Sequence, residues 1–181
     1  MRIEERITGR DMEDLCSIVL ETIGTLQTSL EAVVIETTAE SSASKQLKNH
    51  MFNKLITEAW RPQFKISKEV SEAYPTANYI LDLMKDFESD ACNHNHRFFL
   101  EFCFDNRQAI GSNILKFEVA SRIAAQSDYS PVPVLVCADA AALKHFGWDG
   151  SIASANEYEY ALRVVYREIM QYPPIILSLH N

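Results

Sequence analysis

Two short apolar runs in this chain each hold one carboxylate. Residues 79–84 read Tyr-Ile-Leu-Asp-Leu-Met, and residues 98–104 read Phe-Phe-Leu-Glu-Phe-Cys-Phe. Runs of this length and composition form strands, and a strand interior is a costly place for a charge. On strict alternation Asp82 shares a face with Ile80 and Met84, and Glu101 shares one with Phe99 and Cys103. Both faces are apolar. Two carboxylates on adjacent strands repel each other unless a cation lies between them. A hard divalent ion resolves the conflict, and Mg²⁺ favours one or two carboxylates completed by waters and phosphate oxygens. Such a site activates water for attack on phosphorus. The competing reading is that either residue points outward on an amphipathic strand; the spacing alone leaves both open.

The rest of the chain reads as an α/β unit around these runs. Leu15, Ile18, Val19, Ile23, Leu26 and Leu30 recur at helical steps behind a candidate N-cap, Asp11. A β-branched run at 33–38 suggests a short strand, and the polar stretch 40–44 a loop. A second helix is expected over 45–60, with Leu47, Met51, Leu55 and Ile56 as its stripe, stopped by Arg61-Pro62. Residues 63–66 suggest a short strand and 86–97 a polar hairpin connection. Asp105-Asn106 turns the chain into a helix over 108–125, followed by an apolar, central strand at 132–136. A short helix at 140–146, a longer one at 156–170 and a strand at 175–179 complete the order. The chain fits one domain, with an N-terminal helix and strand over 1–40 and a core over 45–181.

Composition narrows the setting. Lys and Arg number 17 against 25 Asp and Glu, a net charge of −8. That argues against a nonspecific nucleic-acid binder with a broad basic face, but not against one that gathers its cations in a single cleft. No apolar run approaches a membrane span, and the start, Met-Arg-Ile-Glu-Glu-Arg, lacks the pattern of a signal peptide. The expected location is cytoplasmic, with Cys16, Cys92, Cys103 and Cys137 reduced. Cys92, His94 and His96 place metal-type residues together, but their spacing matches no zinc motif and reads as a polar hairpin tip. Glycine-rich phosphate loops and a serine-nucleophile elbow are both missing. Tyr158, Tyr160, Tyr166 and Tyr172, at helical spacing, read as packing residues.

At this point the residues resemble a family. The stretch Asp82-x-x-Lys85, then Phe99-Leu100-Glu101-Phe102-Cys103-Phe104-Asp105-Asn106-Arg107, then a helix with Leu115-Lys116-Phe117, is similar to the nuclease core of PD-(D/E)XK restriction endonucleases. The BglII/BstYI group, which cuts around a central GATC, is the most alike. Asn49 and Phe52, with Trp60 further on, match that group's Asn-x-x-Phe … Gly-Trp segment. The tail matches from Gly150 through Glu157-Tyr-Glu-Tyr and Val164-Val165-Tyr166-Arg167 to Pro173-Pro174. The resemblance runs from about residue 45 to the C-terminus.

It implies a restriction-endonuclease-like core, a mixed β-sheet flanked by helices. Asp82 and Glu101 would hold Mg²⁺, with Mn²⁺ as a substitute, and the main-chain carbonyl of Phe102 would be a further ligand. Asn49 would sit on the helix lining the site. Cys103 stands where the family places Gln, Glu or Lys to position the attacking water; a thiol is a weak partner there. The separation of Asp82 and Glu101, 19 positions, is longer than the compact hairpin of the nearest relatives. Asp105 replaces the glycine of the turn.

Arg107 and Lys116 are the expected phosphate contacts, with solvated helix-start cations as the bland alternative. Asn106, Ser112, Asn113, Ser151 and Ser154 are of the types that read bases from loops and helix starts. The implied function is Mg²⁺-dependent, type II cleavage of double-stranded DNA at a short palindrome containing GATC. A symmetric homodimer would act on it, and a DNA methyltransferase would share the site. Two alternatives stand beside it. One is a catalytically impaired DNA-binding or regulatory protein on the same fold. The other is an unrelated interaction protein whose strand carboxylates face solvent, well apart.

Overall fold

The computed structural model describes residues 2–7, 15–37, 44–65, 80–88, 94–104 and 106–180. Its strands are β1 (Arg2–Ile7), β2 (Arg61–Lys65), β3 (Ile80–Phe87), β4 (Asn95–Phe102), β5 (Tyr129–Ala138) and β6 (Ile175–His180). They form one mixed sheet in the order β1-β6-β5-β4-β3-β2. β2 pairs antiparallel with β3 and β3 with β4, whereas β4, β5 and β6 are mutually parallel, and β1 closes the far edge antiparallel to β6. The helices are α1 (Ser17–Thr37), α2 (Ser44–Thr57), α3 (Ile110–Gln126), α4 (Ala140–His145) and α5 (Ala155–Tyr160).

Period-2 alternation along β4 separates two cores. Phe98, Leu100 and Phe102 face α1 and α2, whose Ile23, Leu26, Leu30, Leu47, Met51 and Leu55 are buried against them. Phe99 and Cys103 face the opposite layer, with Ile114, Phe117 and Ala120 of α3 and Tyr158 of α5. β5 is buried on both faces from Pro131 to Ala138, as its unbroken apolar run predicts. Gly111 lets α3 approach the C-terminal region: a Cβ there would lie 2.6 Å from the Tyr166 hydroxyl.

Several expectations change. Over residues 33–37 the β-branched run is the end of α1, not a strand. Val33 and Val34 continue the helical stripe of Leu26 and Leu30 into the core, and that burial outweighs a slight β preference. α2 stops three residues early, at Thr57. Ala59 adopts φ 66°, and Trp60 N–H closes the end onto the Leu55 carbonyl at 3.1 Å. The helix expected over 156–170 is α5 followed by a single π-helical turn, Ala161–Val165. β1 has no apolar signal beyond Ile3 and Ile7, because it is a charged edge strand. Cys16 is disulfide-bonded, against the reduced state expected of it, while Cys103 and Cys137 are buried thiols outside any disulfide. Among the described residues no helix is long and apolar enough to cross a membrane. The Asp11 cap, the 40–43 loop, Cys92 and Asp105 lie outside the described residues.

Candidate active site

The site forms where β3 and β4 part. Their antiparallel ladder runs from Phe87–His96 to Leu83–Leu100 and ends there. Continued by one residue, it would set Asp82 opposite Glu101. Instead, side chains take over from the main chain. Asp82 N–H donates to Glu101 Oε2 at 3.0 Å, and Phe102 N–H donates to Asp82 Oδ2 at 2.9 Å. Each carboxylate satisfies a main-chain donor that the fork has freed. β5 holds the other edge of β4 in place, with Cys103 N–H donating to the Val136 carbonyl at 2.7 Å.

Two ammonium groups flank the pair. Lys48 Nζ, from α2, lies 2.9 Å from Asp82 Oδ2 and 3.3 Å from the Phe102 carbonyl oxygen. Lys116 Nζ, from α3, lies 2.8 Å from Glu101 Oε1. The side chains of Asp82 and Glu101 are 20% and 5% exposed, which rules out the reading of two separate, solvent-facing carboxylates. Burial, and then the charge of Asp82, raise the Glu101 pKa above the ordinary carboxylate value, against the opposing pull of Lys116 and Lys48. The conflict posed by two strand carboxylates is thus met, in the protein alone, by one lysine from each helical layer.

The oxygens of Asp82, Glu101 and Phe102 are a hard donor set of the kind Mg²⁺ and Mn²⁺ accept. The Lys48 ammonium, seated on two of those three groups, shows that a cation is stabilised there. The donor set fits the ion. Among the described residues no cluster of three or more His, Cys, Asp or Glu converges, so further ligands would be main-chain oxygen, water or substrate.

The other expected site residues divide. Asn49 is exposed on α2, and its neighbour Lys48 is the residue that reaches the site. Cys103 is buried in the core beneath α3, where Asn113 Nδ2 donates to its sulfur at 3.4 Å and to the Tyr158 hydroxyl at 3.0 Å. Burial first, and the neighbouring Cys103 next, push the Tyr158 pKa far up, so its hydroxyl stays protonated. Asn113 is therefore a core linker, not a groove-facing residue. Ser154 is buried too, as the N-cap of α5 in a reciprocal capping box with Glu157.

Asn106, Arg107 and Ser112 are exposed and Ser151 is half-buried. The structure brings the two candidate recognition segments together: Asn106 bridges to Ile152, and Arg107 N–H donates to the Ser151 carbonyl at 2.9 Å. The Arg107 guanidinium also bonds the Gly150 carbonyl and Glu157. Ser112 precedes Lys116 by one helical turn on α3, so the two lie along one face.

Lys48 is the residue that sequence reasoning missed. A signal was present: it flanks the buried stripe Leu47, Met51 and Leu55, so a long side chain from it reaches the sheet.

No protein-family model matches the chain, and no curated protein is similar to it at a significant level. In structure the chain is similar to restriction endonuclease BglII, solved in complex with a DNA 16-mer, with a TM-score of 0.68 and 11% sequence identity. The match covers 100% of this chain and 79% of that one. The protein has a restriction-endonuclease-like fold: a mixed six-stranded sheet flanked by helices. At 11% identity the likeness defines the fold and not a particular group within it.

Proposed function

We propose that this chain is a Mg²⁺-dependent type II endonuclease, hydrolysing double-stranded DNA at a short palindrome and acting as a homodimer. The observation that carries the reading is the forked end of β3 and β4. There Asp82, Glu101 and the Phe102 carbonyl converge at a partly exposed point, with Lys116 beside Glu101. Asp82 and Glu101 would hold the ion, with Mn²⁺ a chemical substitute. When bound, such an ion lowers the pKa of a water and stabilises charge on the leaving oxygen.

The chain's own residues do the rest. Lys116, anchored on Glu101, presents a proton-bearing cation beside the carboxylate. It is better placed than the buried Cys103 to orient the attacking water and stabilise charge on the phosphate. Arg107, Asn106, Ser112 and Ser151 form the surface from which DNA would be contacted. A GATC-containing site and a methyltransferase acting on the same sequence are the corresponding biological expectations. A two-fold dimer would match the two-fold of a palindrome.

The test is digestion of mixed, unmethylated DNA with Mg²⁺ and then Mn²⁺, alongside Asp82→Ala. Discrete fragments that vanish in the variant support the proposal. DNA binding without cleavage, by folded protein with either metal, would replace it with the second reading, a non-cleaving DNA-binding or regulatory protein. That reading draws on the Lys48–Asp82 ion pair, which neutralises a metal ligand, and on the burial of Cys103.

A further inference from the structure

Lys48 and the expected metal draw on the same oxygens. Its ammonium pairs with Asp82 Oδ2 at 2.9 Å and donates to the Phe102 main-chain oxygen at 3.3 Å. A divalent ion held by Asp82, Glu101 and that carbonyl would use both groups. An ammonium and a divalent ion cannot share them at close range, because like charges in a partly buried site repel strongly. The Lys48 side chain is 27% exposed, and it reaches the site from α2 on a stem with several rotatable bonds, so it has a path outward.

We propose that Lys48 is a built-in competitor for the divalent cation at the Asp82–Glu101 pair, which must swing off Asp82 and Phe102 before the metal can bind. The inference rests on the reading of that pair as a metal site. It has two consequences. Metal affinity is set partly by the cost of releasing Lys48, so the apparent dissociation constant is the intrinsic one divided by the fraction of molecules in which the seat is free. The metal-free protein is protected from the repulsion between Asp82 and Glu101, so it does not depend on metal to fold.

The experiment is a Mn²⁺ titration of the full chain, reading the free ion by electron paramagnetic resonance. It compares wild type, Lys48→Met, and Lys48→Met combined with Asp82→Asn. The expected result is at least about tenfold tighter binding in Lys48→Met than in wild type, abolished by Asp82→Asn. The thermal shift on adding Mn²⁺ should likewise be larger in Lys48→Met than in wild type. Equal affinity in wild type and Lys48→Met, lost with Asp82→Asn, overturns the competitor role and leaves the metal site standing. Absence of binding in every form overturns both. Lys48→Gln serves if Lys48→Met does not fold. In wild type, displacement also has a direct readout: the Lys48 side-chain amine resonances should move on Mg²⁺ addition in step with saturation. Fixed resonances at saturating Mg²⁺ would overturn the proposal.

Discussion

Asp82 and Glu101 clasp each other's strands: Asp82 donates its main-chain N–H to the Glu101 carboxylate, and the Asp82 carboxylate accepts from the N–H of Phe102, the residue after Glu101. The arrangement makes the pair structural as well as chemical. It also separates two kinds of substitution. Asp82→Asn and Glu101→Gln keep an acceptor for each main-chain donor and remove the charge. Both variants should stay folded and lose at least about a hundredfold in Mg²⁺-dependent cleavage, read from single-turnover digestion. The pH dependence of stability has a defined sign. The raised Glu101 pKa means the folded chain holds an extra proton between the ordinary value, 4.5, and the raised one. Glu101 therefore weakens the fold as pH rises through that window. Glu101→Gln lacks this dependence, so its stability relative to wild type should grow as pH rises, in urea unfolding between about pH 4 and 8.

Lys116 lies on the same carboxylate. Removing one partner of a buried pair leaves the other charge uncompensated, at a cost of about 3 kcal/mol or more when that charge persists. Glu101 can instead take up a proton, since burial already favours its neutral form. Lys116→Met should therefore cost less than that in stability, while cleavage falls about a hundredfold or more with DNA affinity nearly unchanged. Lys116→Arg, which retains the charge, should recover part of the rate. A loss of DNA affinity equal to the loss of rate would make Lys116 a binding residue only.

The two carboxylate-bearing strands were legible for one physical reason, while the restriction-endonuclease-like core was expected from the resemblance of their motifs. Period-2 runs announce strands, and a carboxylate inside such a run must be answered by a cation. What answers it was less visible. Glu101 and Lys116 are fifteen positions apart in sequence and Asp82 and Lys48 lie on different elements, so contact depends on how helices pack on the sheet. The reading of Cys103 as a site residue came from the resemblance, which sets it where the family places Gln, Glu or Lys; alternation marks the same residue as part of an apolar face. That face turns from site to core within one step, because α3 and α5 cover it. β1 was missed because a charged edge strand is defined by its partner β6 and not by its own apolar content.

Cys103 is the position where sequence and structure part most clearly. With Asn113 and Tyr158 packed on it and no exposure, a longer polar side chain has nowhere to go. Cys103→Gln and Cys103→Lys should lose roughly 1–3 kcal/mol through overpacking and an unsatisfied polar group, with no gain in cleavage. Cys103→Ala should keep cleavage within a few-fold of wild type. A rise in Mg²⁺-dependent cutting in Cys103→Lys would show instead that this position belongs to the reactive centre.

The turn after α2 carries strain that a single substitution relieves. Ala59 sits at φ 66°, where a Cβ is disfavoured, yet the turn is needed to bring Trp60 beneath the sheet. Ala59→Gly should raise the stability by about 0.5–1 kcal/mol, as a shift in denaturation midpoint at unchanged slope. Because α2 also carries Lys48, cleavage should be unaffected if the helix keeps its seat. A changed rate would mean that the turn sets the position of Lys48.

His96 is 5% exposed, and neither ring nitrogen has a hydrogen-bond partner among the described residues. Burial first, and the charge of His94 next, lower its pKa below the ordinary 6.5. The folded chain thus resists a proton that the unfolded chain accepts. Stability falls as pH drops from 6.5 toward the lowered value, and is flat above that range as far as this group is concerned. His96→Leu removes both the unsatisfied nitrogens and the titration. It should stabilise the protein by about 1 kcal/mol at neutral pH and by more in mild acid, measured by urea unfolding across the two conditions. A destabilised His96→Leu variant, or one with the acid dependence of wild type, would show that the imidazole is doing something the packing of β4 does not reveal.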